Sequence, residues 1–222
     1  MSTTAIVTGA TGGMGTHIVA DLSEVYDCVL AIGRNQDTLN QLESTFSNVT
    51  GVRLDLGEPD IDYLKALAVE RVDCLVHAAA IAPKGPLEGT EEQEWREALQ
   101  LNVIAPAQLT RALLPGLRAT GGTVVFISSG AGDHGHANMT LYCATKHALN
   151  GLAEALRQEE PDIRVSTVAP GPTDTPMLQG LRGQYDAATV IAPEEVSAAV
   201  RAVVTAGPST QLTRVNVRPR RP

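Results

Sequence analysis

Thr4-Ala5-Ile6-Val7-Thr8-Gly9-Ala10-Thr11-Gly12-Gly13-Met14-Gly15 is the stretch whose reading decides the fold. Its first five residues are short, apolar and β-branched, as in a strand buried on both faces. Glycines follow at Gly9, Gly13 and Gly15, and residues 16–22 carry helical patterning. Strand, glycine turn and helix in direct succession present backbone N–H groups and a positive helix end to a phosphate. Glycine suits the turn because a side chain would block a pyrophosphate, and because the tight backbone can need φ > 0. The spacing Gly9-x-x-x-Gly13-x-Gly15 is not G-x-G-x-x-G, and a glycine-rich turn without a ligand is the alternative. The flanking strand and helix favour dinucleotide binding, with Thr11 and Met14 inside the loop.

Working outward, residues 28–32 read as a second strand ending at Gly33-Arg34. A fold that selects NAD places a carboxylate at this tip, whereas an arginine accommodates the 2′-phosphate of NADP. Arg34 therefore favours NADP, the alternative being a surface arginine in a turn. A helix is expected over 37–46, then a third strand over 52–54 that ends at Asp55-Leu56. Asp55 either accepts a hydrogen bond from an adenine amino group or caps the next segment. A helix near 61–69 leads to a fourth strand at 72–76, which runs into His77-Ala78-Ala79-Ala80. Small residues there let the backbone approach a flat ligand, while His77, with no partner nearby in sequence, reads as structural.

Residues 82–90 are a Pro/Gly-rich loop, and a helix begins at Glu91. Asn102 sits among Leu99, Leu101 and Val103, and an amide so placed costs stability unless it is hydrogen-bonded. Pro115 is expected near the end of the following helix. A fifth strand over 123–127 stops at Ser128-Ser129, and open parallel sheets gather their chemistry at such C-terminal strand ends. The 131–140 loop carries His134 and His136, without partners that would make them metal ligands, so no metal site is expected. A sixth strand over 163–168 ends in Ala169-Pro170-Gly171-Pro172-Thr173-Asp174-Thr175, and the segment to residue 191 reads as a mobile lid. A last helix over 193–204 and a last strand over 212–217 complete an alternation without linker or repeat. That pattern predicts an α/β fold: a single doubly wound Rossmann-type domain over residues 1–222, its central parallel sheet of about seven strands flanked by helices.

Between strands five and six lies Leu141-Tyr142-Cys143-Ala144-Thr145-Lys146. On a helix, Tyr142 and Lys146 share a face one turn apart. A phenol titrates near pH 10, and a neighbouring ammonium favours the phenolate, pulling that value toward the range of acid–base catalysis. By itself such a pair also occurs by chance on many amphipathic helices.

Composition narrows the function classes. The 222 residues, 43% hydrophobic and 19% charged, suit one soluble domain with a full core. Seventeen basic against 25 acidic residues give a net charge of −8, which repels nucleic acid and anionic membranes, so neither is an expected partner. The one basic cluster, Arg218-Pro219-Arg220-Arg221, reads as a solvated tail. Three cysteines without CxxC spacing give neither a disulfide framework nor a zinc site. With no secretory leader and no apolar run of membrane-spanning length, a cytoplasmic location is expected.

Taken together the chain resembles the short-chain dehydrogenase/reductase family, of the classical single-domain kind, over nearly its whole length. The resemblance rests on Thr8-Gly9-x-x-x-Gly13-x-Gly15, Asp55-Leu56, Asn102, Ser129, Tyr142-x-x-x-Lys146 and Pro170-Gly171-x-x-x-Thr175, in the family's order. It implies transfer of a hydride between NADP, or NAD, and a carbonyl or secondary alcohol of a small or medium organic substrate. Tyr142 would be the proton donor or acceptor. Lys146 would tune Tyr142 and bind the nicotinamide ribose, Ser129 would hold the substrate oxygen, and Asn102 would anchor a water. The cofactor contacts would come from Gly9, Thr11, Gly13, Met14, Gly15, Arg34, Asp55, Leu56, Ala78, Ala79, Tyr142, Lys146, Pro170, Gly171, Thr173 and Thr175. A homodimer or homotetramer is implied, packed through the helices that bear Asn102 and Tyr142. His77-Ala78-Ala79-Ala80 stands where the family has Asn-Asn-Ala-Gly, and the lid and C-terminus are short, which suggests an open substrate site. An NAD-dependent alcohol dehydrogenase and a non-enzymatic dinucleotide-binding sensor are the alternatives.

Overall fold

The computed structural model describes residues 2–58 and 70–220. Seven parallel strands form one sheet in the order β3-β2-β1-β4-β5-β6-β7. They are β1 Thr4–Thr8, β2 Cys28–Gly33, β3 Val49–Arg53, β4 Cys74–His77, β5 Thr123–Ile127, β6 Arg164–Pro170 and β7 Arg214–Val217. The helices, numbered among the described residues, are α1 Gly15–Ser23, α2 Gln36–Thr45, α3 Glu92–Leu99, α4 Ala105–Thr120, α5 Thr140–Glu159, α6 Pro176–Arg182 and α7 Pro193–Val204. The expected helix over 61–69 lies outside the described residues.

Successive strand side chains point to opposite faces of the sheet, and here both faces are covered. Ala5, Val7, Val29, Ala31, Val76 and Val125 pack with α1, α2 and α7 through Ile18, Leu22, Leu39, Val196 and Val200. Ile6, Ile32, Leu75, Val124 and Phe126 pack on the other side with Leu109, Leu113 and Leu117 of α4 and with Leu149 and Leu156 of α5. Burial on both faces is why β1, β4 and β5 are continuous apolar runs in sequence. The sheet is thus the doubly wound, Rossmann-like arrangement expected. Its order reverses between β1 and β4, which opens a crevice at their C-terminal ends.

Expectation and structure part at the edges. β3 begins three residues before the expected 52–54, because its register is set by pairing with β2, Val29 opposite Val49. Only Val49 and Val52 of β3 are buried, so no apolar run marks its start. The fourth strand is shifted to Cys74–His77 and the sixth extends to Pro170. β7, the other edge, begins at Arg214 rather than 212 and is only partly buried.

Pro115 lies within α4, which continues to Thr120 and stops where Gly121 takes φ 63°. Burial of Leu113, Gly116 and Leu117 against the sheet carries the helix past the proline. The expected lid contains α6, whose first turn is capped by Thr175. Tyr185 Oη donates to Asp174 Oδ1 at 2.7 Å, tying the segment's far end back to its start. The expected solvated tail is partly engaged at its first residue: Arg218 donates to Ala169 O, and its Nη2 lies 3.9 Å from Asp133 Oδ2 on the 131–140 loop.

Candidate active site

The glycine loop is tight for steric reasons. A Cβ at Gly15 would lie 2.0 Å from Gly9 O, and one at Gly9, where φ is +66°, would meet the Ala79 backbone nitrogen at 2.6 Å. A Cβ at Gly13 would come within 2.9 Å of Thr175 Cβ, so the loop also packs against the start of α6. Met14 precedes α1 without a side-chain cap, leaving the first N–H groups of that helix free of a competing side chain. Thr8 Oγ1 receives the Ala78 N–H at 3.2 Å and the Ala79 N–H at 3.4 Å, fixing the end of β4 beside the loop.

These elements enclose a cleft of about 310 Å³. Of the predicted cofactor contacts, Gly9, Thr11, Gly13, Met14, Gly15, Arg34, Asp55, Leu56, Ala78, Ala79 and Thr175 line it together. The sequence did not single out Leu54, Leu101 or Met177, which line it as well; ordinary apolar residues carry no signal of a wall. Arg34 stands exposed at the β2 tip, its Nη1 3.6 Å from Asp55 Oδ2. Asp55 Oδ1 accepts from Gly57 N at 2.8 Å within the turn that follows β3. A cleft walled by glycine backbone, an uncapped helix start and an arginine fits a phosphate-bearing, extended ligand.

Pro170, Gly171 and Thr173 sit apart from that lining. Gly171 N donates to Val217 O at 2.8 Å, and a Cβ there would be 3.1 Å from Pro219 Cδ. Thr173, 5% exposed, donates to Gly171 O at 3.1 Å. These residues shape the end of β6 against β7.

The four predicted catalytic residues come from three elements around the C-terminal end of β5. Asn102 lies in a π-helical turn, Gln100–Ile104, that joins α3 to α4 and places it at 1% exposure. Its Oδ1 accepts from Ile81 N at 2.9 Å, and its Nδ2 donates to Ile81 O at 2.9 Å and to Thr145 Oγ1 at 3.0 Å. Thr145 in turn donates to Tyr142 O at 2.9 Å. The buried amide is satisfied, as it must be, and both Nδ2 hydrogens are committed to protein partners. Ile81 and Thr145 were not legible in sequence as its partners, being 21 and 43 residues away.

Ser129 caps the short turn Gly130–Gly132, its Oγ accepting from Ala131 N at 3.1 Å. Tyr142 is 9% and Lys146 2% exposed, both on α5. Lys146 Nζ donates to Ile127 O at 3.0 Å and lies 5.7 Å from the centre of the Tyr142 ring. Burial lowers Lys146 to about 8. Burial raises the Tyr142 phenol above its ordinary value, with the Ser129 hydroxyl opposing that rise. This corrects the expectation that Lys146 pulls the phenol down: the ammonium is directed at the Ile127 carbonyl, and desolvation dominates at the phenol. The site as it stands holds a protonated phenol beside a serine hydroxyl and a buried amine.

His77 faces the α4 side, hydrogen-bonded to Thr110 Oγ1 at 2.8 Å and stacked on Phe126 with ring centres 5.0 Å apart. Among the described residues no group of three or more His, Cys, Asp or Glu side chains could hold a metal ion, and no helix is long and apolar enough to cross a membrane.

Comparison with known proteins agrees with this arrangement. The short chain dehydrogenase family model matches residues 3–186. The chain is 32% identical to the uncharacterized oxidoreductase YmfI of Bacillus subtilis, over 80% of this chain and 78% of that protein. It is 34% identical to L-xylulose reductase of Bos taurus, over 79% of this chain and 73% of that protein. A short chain dehydrogenase from Shigella flexneri, solved as a complex with NADP, superposes with a TM-score of 0.90 at 27% identity, covering 96% of this chain and 95% of that one. A second, from Escherichia coli and complexed with NADPH, gives a TM-score of 0.90 at 26% identity, covering 98% and 96%. The match spans the glycine loop, strands β1 to β6 and the Tyr142–Lys146 helix, and the chain belongs to the short-chain dehydrogenase/reductase family and is an oxidoreductase of it.

Proposed function

We propose that this protein is an NADP-dependent oxidoreductase acting on a carbonyl or secondary alcohol of a small or medium organic substrate, with Tyr142 as the proton-transfer group. The observation that supports the reading is that both sets of residues gather at the C-terminal ends of the parallel strands: a glycine-walled cleft at β1, β2 and β4, and Ser129, Tyr142 and Lys146 at the end of β5, where Lys146 Nζ donates to Ile127 O. NADPH, when bound, supplies the hydride; the chain's own residues position the reactants and move the proton.

Ser129 Oγ orients and polarises the substrate oxygen, and Tyr142 Oη delivers its proton to that oxygen in reduction or removes one in oxidation. Burial keeps the phenol protonated at neutral pH, the form that reduction consumes. Lys146 binds the nicotinamide ribose hydroxyls, and its lowered value leaves its charge responsive to mildly alkaline pH. Asn102 holds the Ile81 backbone and, through Thr145, the start of α5. Arg34 supports NADP, as do the NADP and NADPH complexes of the two superposable dehydrogenases.

The same reading takes residues 1–222 as one domain, cytoplasmic, and assembled as a homodimer or homotetramer. Two relatives are named for sugars, L-fucose dehydrogenase and L-xylulose reductase, so sugars belong in a substrate panel beside simple ketones. Tyr142→Phe is the test. It is expected to leave NADPH binding unchanged and to lower turnover by at least about a hundredfold, the scale of general acid–base catalysis. Turnover equal to that of the unaltered protein would sink the assignment.

A further inference from the structure

Asn150 continues the stripe of Tyr142 and Lys146 one turn further along α5, and no role has yet been given to it. It is 8% exposed. Its Oδ1 accepts from Ser128 Oγ at 2.7 Å, and its Nδ2 donates to Gly132 O at 2.9 Å. Ser128 and Gly132 are the two flanks of the Ser129 turn. The amide therefore ties the turn that carries Ser129 to the helix that carries Tyr142, across a separation of 22 residues on one side and 18 on the other.

The approach is as close as the backbone allows. A Cβ at Gly132 would lie 2.6 Å from Asn150 Nδ2, 2.9 Å from Ser128 Oγ and 3.0 Å from Lys146 O. Within the turn, Gly132 N donates to Ser129 O at 3.0 Å, and Ala131 N donates to Ser129 Oγ at 3.1 Å. A shift of Gly132 is thus carried to the serine hydroxyl through the turn's own bonds. The outer side is held separately: Asp133 pairs with Arg214 of β7, and Arg218 Nη2 lies 3.9 Å from Asp133 Oδ2.

Resting on the proposed role of Ser129, we propose that Asn150 is a positioning residue for the reaction, setting the Ser129 hydroxyl against the Tyr142 phenol by gripping Ser128 and Gly132. A buried asparagine needs only satisfied hydrogen bonds to be stable. What distinguishes this one is that both of its bonds end on the serine turn. Reacting groups must be held within about half an ångström of productive geometry, and a misplacement of about 1 Å can cost roughly a hundredfold in rate.

The test is a double-mutant cycle between Asn150→Ala and Ser129→Ala in the full-length protein, read as kcat for NADPH-dependent reduction of 2,3-butanedione or D-xylulose, with a crystal structure of Asn150→Ala. Gly132→Ala, whose added Cβ would press on Asn150 Nδ2 and Ser128 Oγ and so break the same grip from the side of the turn, serves if Asn150→Ala does not fold. Asn150→Ala is expected to lower kcat by roughly tenfold to a hundredfold with NADPH affinity unchanged. In the Ser129→Ala background it should cost less than about twofold, since its partner's contribution is already gone. The crystal structure is expected to show the Ser128–Gly132 turn displaced. A turn that does not move, or a loss of kcat as large in the Ser129→Ala background as alone, overturns the inference. If neither probe is turned over by the unaltered protein, or Ser129→Ala keeps full activity, the functional reading fails instead, and the crystal structure still decides whether Asn150 places the turn.

Discussion

Two buried bases, His77 and Lys146, are shifted the same way by the same cause. Burial lowers His77 to about 3 from an ordinary 6.5, and Lys146 to about 8 from 10.5. For His77 the unfolded chain takes up a proton as pH falls through 6.5, while the folded chain stays neutral until about 3. Stability from this group is therefore complete above pH 6.5 and declines as pH falls toward 3. His77→Asn, which keeps a hydrogen-bonding partner for Thr110 without the titration, is expected to flatten the acid limb of a plot of urea midpoint against pH. An unchanged acid limb would mean that His77 is not the group responsible. In the proposed function Arg34 is the residue that selects the nucleotide. Arg34→Ala is expected to weaken NADPH binding by about tenfold to a hundredfold, a loss of roughly one charge-assisted contact, and to leave NADH binding within about twofold. Fluorescence titration of both nucleotides checks this, and tighter binding of NADH by the unaltered protein would contradict NADP selection.

At the scale of elements, two glycines at helix ends do different work. Gly15 opens α1, and its missing side chain lets the Gly9 carbonyl approach, since a Cβ would stand 2.0 Å from that oxygen. Gly121 closes α4 at φ +63°, where a Cβ would meet only Asp162 O at an ordinary 3.6 Å. Gly15→Ala should accordingly displace the whole glycine loop, costing roughly 2 to 4 kcal/mol and, on the proposed function, most nucleotide affinity. Gly121→Ala should cost about 1 kcal/mol from backbone conformation alone and spare nucleotide binding. Thermal melts with and without NADPH separate the two; equal loss of binding in both would refute the distinction. The same contrast explains the legibility of the elements. β1, β4 and β5, covered on both faces, announce themselves as apolar runs, although β4 starts two residues later than its run, whereas β3 and β7 at the edges alternate or are half-exposed and start three residues before and two residues after the expected positions.

At the scale of the molecule, α4 and α5 cover the sheet face opposite α1 and α7, and a groove between them is lined by Ala107, Arg111, Leu114, Leu152, Leu156 and Glu159. The proposed homodimer or homotetramer would use these helices, which follow Asn102 and bear Tyr142. Sedimentation is expected to give a mass of two or four chains, and a monomer at micromolar concentration would count against assembly. Long-range connections also decide how the site is braced: β7 reaches the Ser129 loop through Arg214 and Asp133, and Lys84 Nζ donates to Leu181 O at 2.7 Å, joining the 82–90 loop to α6.

By itself the sequence determined the strand–glycine–helix opening, the parallel sheet, the order of motifs and the identity of most cleft residues. Those rest on local properties: side-chain period, the steric smallness of glycine and the spacing of Tyr142 and Lys146 along one helix. Tertiary structure alone decided which partners satisfy Asn102, His77 and Asn150, because each partner lies 18 or more residues away. It also reversed the expectation for the Tyr142 phenol. A titration shift depends on how much water a group has lost and on where its charged neighbour points, and both belong to the packed interior rather than to any stretch of chain.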